Sequence, residues 1–214
     1  MPRLPSPPVL LISDRAQARG TLAEVSLAAC RGGVRWISVR EKDLDPQDQI
    51  ALAGAVRRAA ASFGVRVTLH GTAQLARDAG CDGVHLPAGA APEEARALLG
   101  PDALIGQSIH GAAAAAAADP ALVDYVVAGP AFETASKPGY GPALRGDGLA
   151  RLKAVCRVPL IALGGIDRGS LGECRAAGVD GVAVMGGVMR APDPEAEARA
   201  LVAAWTGVPG LTRG

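Results

Sequence analysis

The chain has 214 residues, of which 49% are hydrophobic, 3% are aromatic and 28 are glycine. This length gives room for one large domain with a core of Ala, Val, Leu and Ile. The net charge is +1, and the 22 basic and 21 acidic residues are interspersed, which argues against nucleic acid as a partner and favours a small solute.

The start of the chain holds only one short apolar run, Val9 to Ile12. A signal peptide needs a longer apolar region, and a membrane-spanning helix needs about 20 apolar residues. We therefore expect a cytoplasmic protein without a membrane partner. The four cysteines are scattered and form no C-x-x-C motif, so we expect small core residues rather than zinc ligands or disulfides.

Short β-branched runs alternate eight times with helical stretches rich in Ala and Leu. The predicted strands are Val9–Ser13, Val34–Val39, Val65–His70, Gly83–Leu86, Leu104–Ser108, Tyr125–Gly129, Pro159–Leu163 and Gly181–Met185. The predicted helices lie near 20–32, 47–63, 73–80, 92–99, 111–118, 147–156, 169–178 and 194–205.

This alternation predicts an α/β fold with a parallel sheet. An open, doubly wound sheet usually carries G-x-G-x-x-G after strand 1, whereas here strand 1 leads into Ser13-Asp14-Arg15. We therefore predict a (β/α)8 TIM barrel, a single domain over residues 1–206, followed by a flexible tail at 207–214.

The end of strand 2 is the first candidate site in the chain. With a period of two, Trp36, Ser38, Arg40 and Lys42 share one face, which places the two charges at the mouth of the barrel. Lysine occurs only three times in the chain, and two of the three lie in predicted loops at strand ends. A solvated charge cluster is the simpler interpretation, but we predict that Ser38, Arg40 and Lys42 bind an anionic ligand.

The three histidines follow, each at or near the C-terminal side of a strand: His70, His85 and His110. A metal triad is conceivable, but His85 lies between Val84 and Leu86 and is more simply a packed, hydrogen-bonded residue. His110 lies just beyond strand 5, where a general acid/base would be placed, although a loop histidine could also lie there. The roles of His70 and His85 stay open.

The segment 129–142 after strand 6 is punctuated by Gly and Pro and is too long for a simple turn. A lengthened loop on this face is typical of a lid or substrate loop. Its candidate anion donors are Thr134, Ser136 and Lys137.

Glycine pairs follow the last two strands, Gly164-Gly165 after strand 7 and Gly186-Gly187 after strand 8. A single pair could be only a tight turn. In such barrels, however, a phosphate commonly lies between these two loops, and glycine lets backbone N–H groups approach an anion closely. We predict that these four glycines bind phosphate.

Together these motifs resemble the thiamin phosphate synthase and thiazole tautomerase superfamily, two branches of one barrel. The resemblance covers nearly the whole chain. Its anchors are Val39-Arg-Glu-Lys42, Gly83-Val-His-Leu86, Ser108-Ile-His110, Gly129-Pro130 and Gly164-Gly-Ile166.

The resemblance implies a choice between two reactions. The synthase branch expels pyrophosphate and needs Mg²⁺, which prefers carboxylate oxygens; its pattern places these after strands 3 and 4. Here the two stretches read His70-Gly-Thr72 and Pro87-Ala-Gly-Ala90, and the Gln of the synthase strand-2 motif is Ser38.

The replacements look like the tautomerase branch. That branch is matched by Leu86-Pro-Ala-Gly89, Ser108-Ile-His110, and Phe132-Glu-Thr134 before Lys137. It implies a metal-independent isomerase that aromatises a carboxylated thiazole phosphate, without cofactor. His110 would transfer the proton and Ser108 would bind substrate. Thr72 stands where the tautomerase pattern has Arg, so one anion contact is unaccounted for.

Three alternatives stay open. A divergent synthase could recruit Mg²⁺ through Glu41 or Glu133, and a non-catalytic protein could simply bind thiazole or thiamin phosphate. Another phosphate-handling barrel isomerase would want a catalytic Asp or Cys at strand ends 1 and 6, where only Asp14 fits. We also expect a homo-oligomer, as small barrels of this type often pair.

Overall fold

The computed structural model describes residues 4–134 and 142–207. Its strands are β1 (Val9–Ile12), β2 (Trp36–Val39), β3 (Arg66–His70), β4 (Gly83–Leu86), β5 (Leu104–Ile109), β6 (Tyr125–Ala128), β7 (Leu160–Leu163) and β8 (Gly181–Val184). Its helices are α1 (Leu22–Arg31), α2 (Pro46–Ala60), α3 (Ala73–Asp78), α4 (Pro92–Leu99), α5 (Ala112–Ala117), α6 (Arg145–Val155), α7 (Leu171–Ala176), α8 (Gly186–Met189) and α9 (Pro194–Thr206).

The eight strands form a closed parallel barrel in chain order, with β8 paired to β1. This confirms the predicted (β/α)8 TIM barrel. Most element bounds differ from the prediction by a few residues, and two differences are the clearest. β2 begins at Trp36 rather than Val34, and the turn after β8 forms the short helix α8, whose four residues are too few to show a helical period. No helix in the described part of the chain is long and apolar enough to cross a membrane.

Strand alternation divides the apolar side chains between two cores. The barrel interior is filled by a cluster that includes Leu10, Trp36, Tyr125 and Ile161. The outward-facing residues, such as Ile37, pack in a larger layer against the helices. The predicted inward face of strand 2 is therefore the observed one.

At the N-terminal end of the barrel, the same hydrogen bond from a backbone N–H to an aspartate occurs at three places. The carboxylates of Asp82, Asp124 and Asp180, each just before a strand, accept the backbone N–H of Val67, Ile105 and Leu160 on the preceding strand at 2.7–2.8 Å. Each also faces a cation. These bonds satisfy backbone donors that would otherwise be left unpaired at the start of each strand. The charged groups at this end therefore hold the barrel together.

Candidate active site

A cavity of about 220 Å³ opens at the C-terminal ends of the strands. It brings together five residues predicted to act on the ligand: Arg40, Lys42, Ser108, Thr134 and His110. Ser136 and Lys137 lie outside the described residues. Ser38 is not among the described residues that line the cavity; it is 1% exposed, and its hydroxyl has no hydrogen-bond partner in the described structure.

The segment that carries Arg40 and Lys42 is held by a buried carboxylate. Glu41 is 4% exposed and accepts hydrogen bonds from the Ser13 hydroxyl at 2.6 Å and the Arg15 backbone N–H at 3.1 Å. The Ser13 hydroxyl in turn accepts the backbone N–H of Arg40 at 2.8 Å. Glu41 thus joins the ends of β1 and β2 and fixes the backbone from which the two cations extend.

His85 lies on the floor of the cavity and is 3% exposed. Its Nε2 is 2.9 Å from the Ser108 hydroxyl and its Nδ1 is 3.2 Å from the Tyr125 hydroxyl. Burial, together with the smaller effect of the charges of Lys42 and Arg40, lowers the pKa of His85 to about 3. His85 is therefore neutral at physiological pH, packed and hydrogen-bonded, as the sequence suggested.

Two neighbours shape the surroundings of His85. The centroid of the His70 ring lies 4.9 Å from that of the His85 ring, and the Tyr125 ring stacks on His85 with centroids 5.5 Å apart. Tyr125 fits because β5 carries Gly106, where an added Cβ would lie 1.9 Å from the Tyr125 ring. Sequence reasoning missed Tyr125, since its contacts come from strands far apart in the chain.

A second cavity, of about 280 Å³, adjoins the first and shares Thr134, Leu163, Gly164 and Met185 with it. It is lined by all four glycines predicted to bind phosphate: Gly164, Gly165, Gly186 and Gly187. Gly165 has φ +64°, and an added Cβ there would lie 2.6 Å from the Glu133 carbonyl oxygen. Only glycine fits at this turn.

Arg190, at the end of α8, also lines this second cavity and was missed from the sequence. Its guanidinium lies over Gly186 and donates to the Gln17 side-chain oxygen. The Gln17 amide nitrogen donates to Asp14, which orients that oxygen toward the arginine. Asp14 is therefore engaged in positioning Gln17. Its position one helical turn after the Gly186-Gly187 pair could have identified Arg190 from the sequence.

The carboxylates around the mouth are engaged with cations and backbone groups. The pKa of Glu133 is held below its ordinary value because its own backbone N–H and the Arg145 guanidinium hydrogen-bond the carboxylate. Asp43 forms an ion pair with Arg15 at 2.6 Å, and Glu41 is bound as described above. Glu41 and Glu133, the carboxylates considered for a divergent synthase, thus have other partners.

The Mg²⁺ that the resemblance implies for the synthase branch would need oxygen ligands at the mouth of the barrel. Mg²⁺ is held by carboxylates and other oxygen ligands in octahedral geometry. The ends of β3 and β4 offer Gly71, Thr72, Ala88 and Ala90 instead. Across residues 4–134 and 142–207, no group of three or more His, Cys, Asp or Glu side chains could hold a metal ion. The strand ends where the synthase pattern has its Mg²⁺ carboxylates therefore carry no carboxylate here.

Comparison with known proteins gives consistent matches. The family model described as thiamine monophosphate synthase matches residues 9–188. A provisionally named thiamine-phosphate synthase of Geobacter sulfurreducens is 43% identical over 195 residues, which cover 90% of this chain and 92% of that protein. The thiamine-phosphate synthase of Thermobifida fusca is 38% identical over 209 residues, covering 94% and 95%.

Among solved structures, the thiamine phosphate pyrophosphorylase of Pyrococcus furiosus superposes with a TM-score of 0.83 at 25% identity and covers 98% of both chains. Two of these three similar proteins are named thiamine-phosphate synthase, and the third is named thiamine phosphate pyrophosphorylase. The names thus favour the transferase alternative over the isomerase that the sequence analysis favoured, and a closer likeness to the tautomerase branch is not shown.

Proposed function

The chain belongs to the thiamine monophosphate synthase family, and from that premise we propose that it is an enzyme of thiamin biosynthesis that binds a thiazole phosphate. The glycine-lined cavity holds the phosphate, and the adjoining cavity holds the ring. The two cavities share four residues, so one ligand can extend through both. This part of the proposal is common to both branches of the family.

The reaction that the geometry supports best is tautomerisation of the carboxylated, non-aromatic thiazole phosphate. The observation that carries it is the donor set: cations and histidines line the cavity, while the ends of β3 and β4 have no carboxylate for Mg²⁺. Tautomerisation expels no leaving group. The C2–H bond breaks, a C–H bond forms at the exocyclic carbon, and the product is an isomer.

Each group has a role in this reaction. Backbone N–H groups of Gly164, Gly165, Gly186 and Gly187 bind the phosphate. Arg40 and Lys42 bind the carboxylate, with Thr134 at the junction of the two cavities. His110 takes the proton from C2 and returns it to the exocyclic carbon; an acid/base group in this position contributes roughly 10²–10⁴-fold.

The second candidate is thiamin phosphate synthesis, which joins an aminopyrimidine diphosphate to the thiazole phosphate and releases pyrophosphate. The names of the similar proteins from Geobacter sulfurreducens, Thermobifida fusca and Pyrococcus furiosus favour it. It requires that Mg²⁺ be bound by groups other than those of the family pattern, with Glu41 or Glu133 released from their present partners.

A side-by-side assay separates the candidates. In the first reaction, the purified protein is incubated with the non-aromatic thiazole phosphate in the presence of a chelator. In the second, it is incubated with the two synthase substrates and Mg²⁺. NMR follows loss of the C2 proton in the first reaction, and a phosphate assay follows pyrophosphate in the second. We expect acceleration in the first alone. Pyrophosphate release in the second would establish the synthase, and tight thiazole phosphate binding with neither reaction would establish a non-catalytic binder.

A further inference from the structure

The charged side chains that line the second cavity are two carboxylates and one guanidinium, those of Glu133, Asp167 and Arg190. The two carboxylates have partners of their own. Glu133 accepts from Arg145 at 2.6 and 2.8 Å, and Asp167 accepts from the Ser170 backbone N–H at 2.9 Å. Among the described residues that line this cavity, Arg190 is the one cation. An anion bound in this cavity therefore depends on Arg190 for an opposite side-chain charge.

The guanidinium of Arg190 is held by a neutral group. Its Nη1 donates to the side-chain oxygen of Gln17, in the loop between β1 and α1. Within the part of the chain that the structure describes, it has no carboxylate partner. Arg145 differs, because the Glu133 carboxylate that it binds offsets its charge. A neutral acceptor orients a guanidinium and leaves its positive charge available to a ligand.

The orientation of the Gln17 amide follows from its two partners. A guanidinium only donates hydrogen bonds, so the amide oxygen must face Arg190. The amide nitrogen faces the other way and donates to the Asp14 carboxylate. Both contacts require the same orientation of the amide. Asp14 therefore stabilises the orientation in which Gln17 accepts from Arg190.

The backbone brings Gln17 to this place. Strand β1 pairs with β8, so the loop after β1 lies beside the turn after β8. The Gln17 N–H donates to the Asp14 carbonyl at 3.2 Å, and the Arg19 N–H donates to the carbonyl of Met189 at 3.0 Å. Met189 directly precedes Arg190. The loop is thus fixed next to the side chain that it holds.

We propose that Gln17 is a positioning residue for phosphate binding, which holds the Arg190 guanidinium over Gly186 and, being neutral, leaves its charge for the phosphate. Gln17 is not among the described residues that line either cavity, so it acts through Arg190. The inference rests on the proposed function only in taking the second cavity as the phosphate site. It is the same for the tautomerase and for the synthase.

Two substitutions separate the holding of Arg190 from the neutrality of the group that holds it. Binding of inorganic phosphate to the full chain is measured by ³¹P NMR titration. Gln17→Leu removes the acceptor and should weaken binding about threefold. Gln17→Glu keeps an acceptor but adds a charge that offsets that of Arg190, and it should weaken binding about tenfold. If Gln17 only supported the local structure, glutamate would retain the hydrogen bond and preserve the affinity.

Helix α3 provides a matched control. There Arg77 donates to Gln74 at 3.0 Å and Gln74 donates to Asp78 at 2.8 Å, so the same three residue types are joined in the same way. None of them is among the described residues that line the two cavities. Gln74→Leu and Gln74→Glu should leave the phosphate affinity unchanged, and urea titrations check that all four variants are folded.

Weaker phosphate binding in both Gln17 variants, with the larger loss in Gln17→Glu, supports the proposal. Wild-type affinity in Gln17→Leu would overturn the positioning role, and wild-type or tighter binding in Gln17→Glu would overturn the role of neutrality. An equal loss in the Gln74 variants would overturn the proposal as well. These results leave the proposed phosphate site standing, whereas no phosphate binding by the wild type would overturn that site and this proposal together.

Discussion

The two ends of the barrel use charged and polar groups in opposite ways. At the N-terminal end, Asp82, Asp124 and Asp180 each hold a backbone N–H of the neighbouring strand and face a cation. At the C-terminal end, Arg40, Lys42 and His110 line an open cavity. The buried carboxylate there, Glu41, supports the backbone beneath the cations.

This difference separates stability from function along one axis. Buried backbone groups at strand ends need hydrogen-bond partners. The three aspartates supply them at the N-terminal end of the barrel, called the closed end below, whereas the C-terminal end with its cavity is called the open end. At the C-terminal end, polar side chains line the cavity, Glu41 holds the backbone that carries Arg40 and Lys42, and His85 holds Ser108. A substitution at one end should therefore change folding, and a substitution at the other should change activity.

The largest expected effect is at the open end. His110→Gln removes the proposed proton-transfer group and should lower kcat by roughly 10²–10⁴-fold. Because His110 is exposed, the free energy of unfolding should stay within about 0.5 kcal/mol of the wild type in urea titrations. Equal tautomerisation rates in the two proteins would show that His110 does not transfer the proton.

The matched change at the closed end is Asp124→Ala. In the wild type, the Ile105 N–H and the Arg96 guanidinium each lie 2.8 Å from the Asp124 carboxylate. The substitution removes that partner from both. Unfolding should be easier by about 2–4 kcal/mol, while kcat and KM at low temperature stay close to wild type. If the variant kept wild-type stability but had a lower kcat, the proposed division between a stabilising end and a functional end would be wrong.

Much of the barrel and of its C-terminal end could be predicted from the sequence, because strand periodicity is local. The eight strands, the inward face of β2 and the four glycines at the last two turns follow from composition and spacing. The His85–Tyr125 contact could not be predicted, since it joins β4 to β6 and depends on the missing side chain at Gly106. The partners of Glu41 could not be predicted either, since they are the Ser13 side chain and the Arg15 backbone N–H, which both lie just after β1.

The third prediction uses pH to test the buried support of the open end. The pKa of His85 is about 3 in the folded protein and near 6.5 when unfolded, so the unfolded state binds more protons between these values. Stability is fully present above pH 6.5 and falls by up to about 1.4 kcal/mol per pH unit below it. In His85→Gln, the slope of unfolding free energy against pH should be smaller by about one proton between pH 6 and 4. An unchanged slope would place His85 in contact with water.

The smallest effect concerns Arg190 at the second cavity. Arg190→Met should raise the KM for a phosphorylated thiazole about tenfold, because one charge-assisted contact is lost. The dephosphorylated alcohol should bind both proteins equally in calorimetric titrations. A similar loss for both ligands would assign Arg190 to packing over Gly186 rather than to the phosphate.

The central claim is that the open end transfers a proton on a thiazole phosphate without a metal. The most direct measurement is the NMR rate of C2 proton loss from the carboxylated, non-aromatic thiazole phosphate in excess chelator, with wild type and His110→Gln side by side. The account predicts acceleration by the wild type and its loss in the variant. No acceleration by the wild type, or the same acceleration by both proteins, would contradict it.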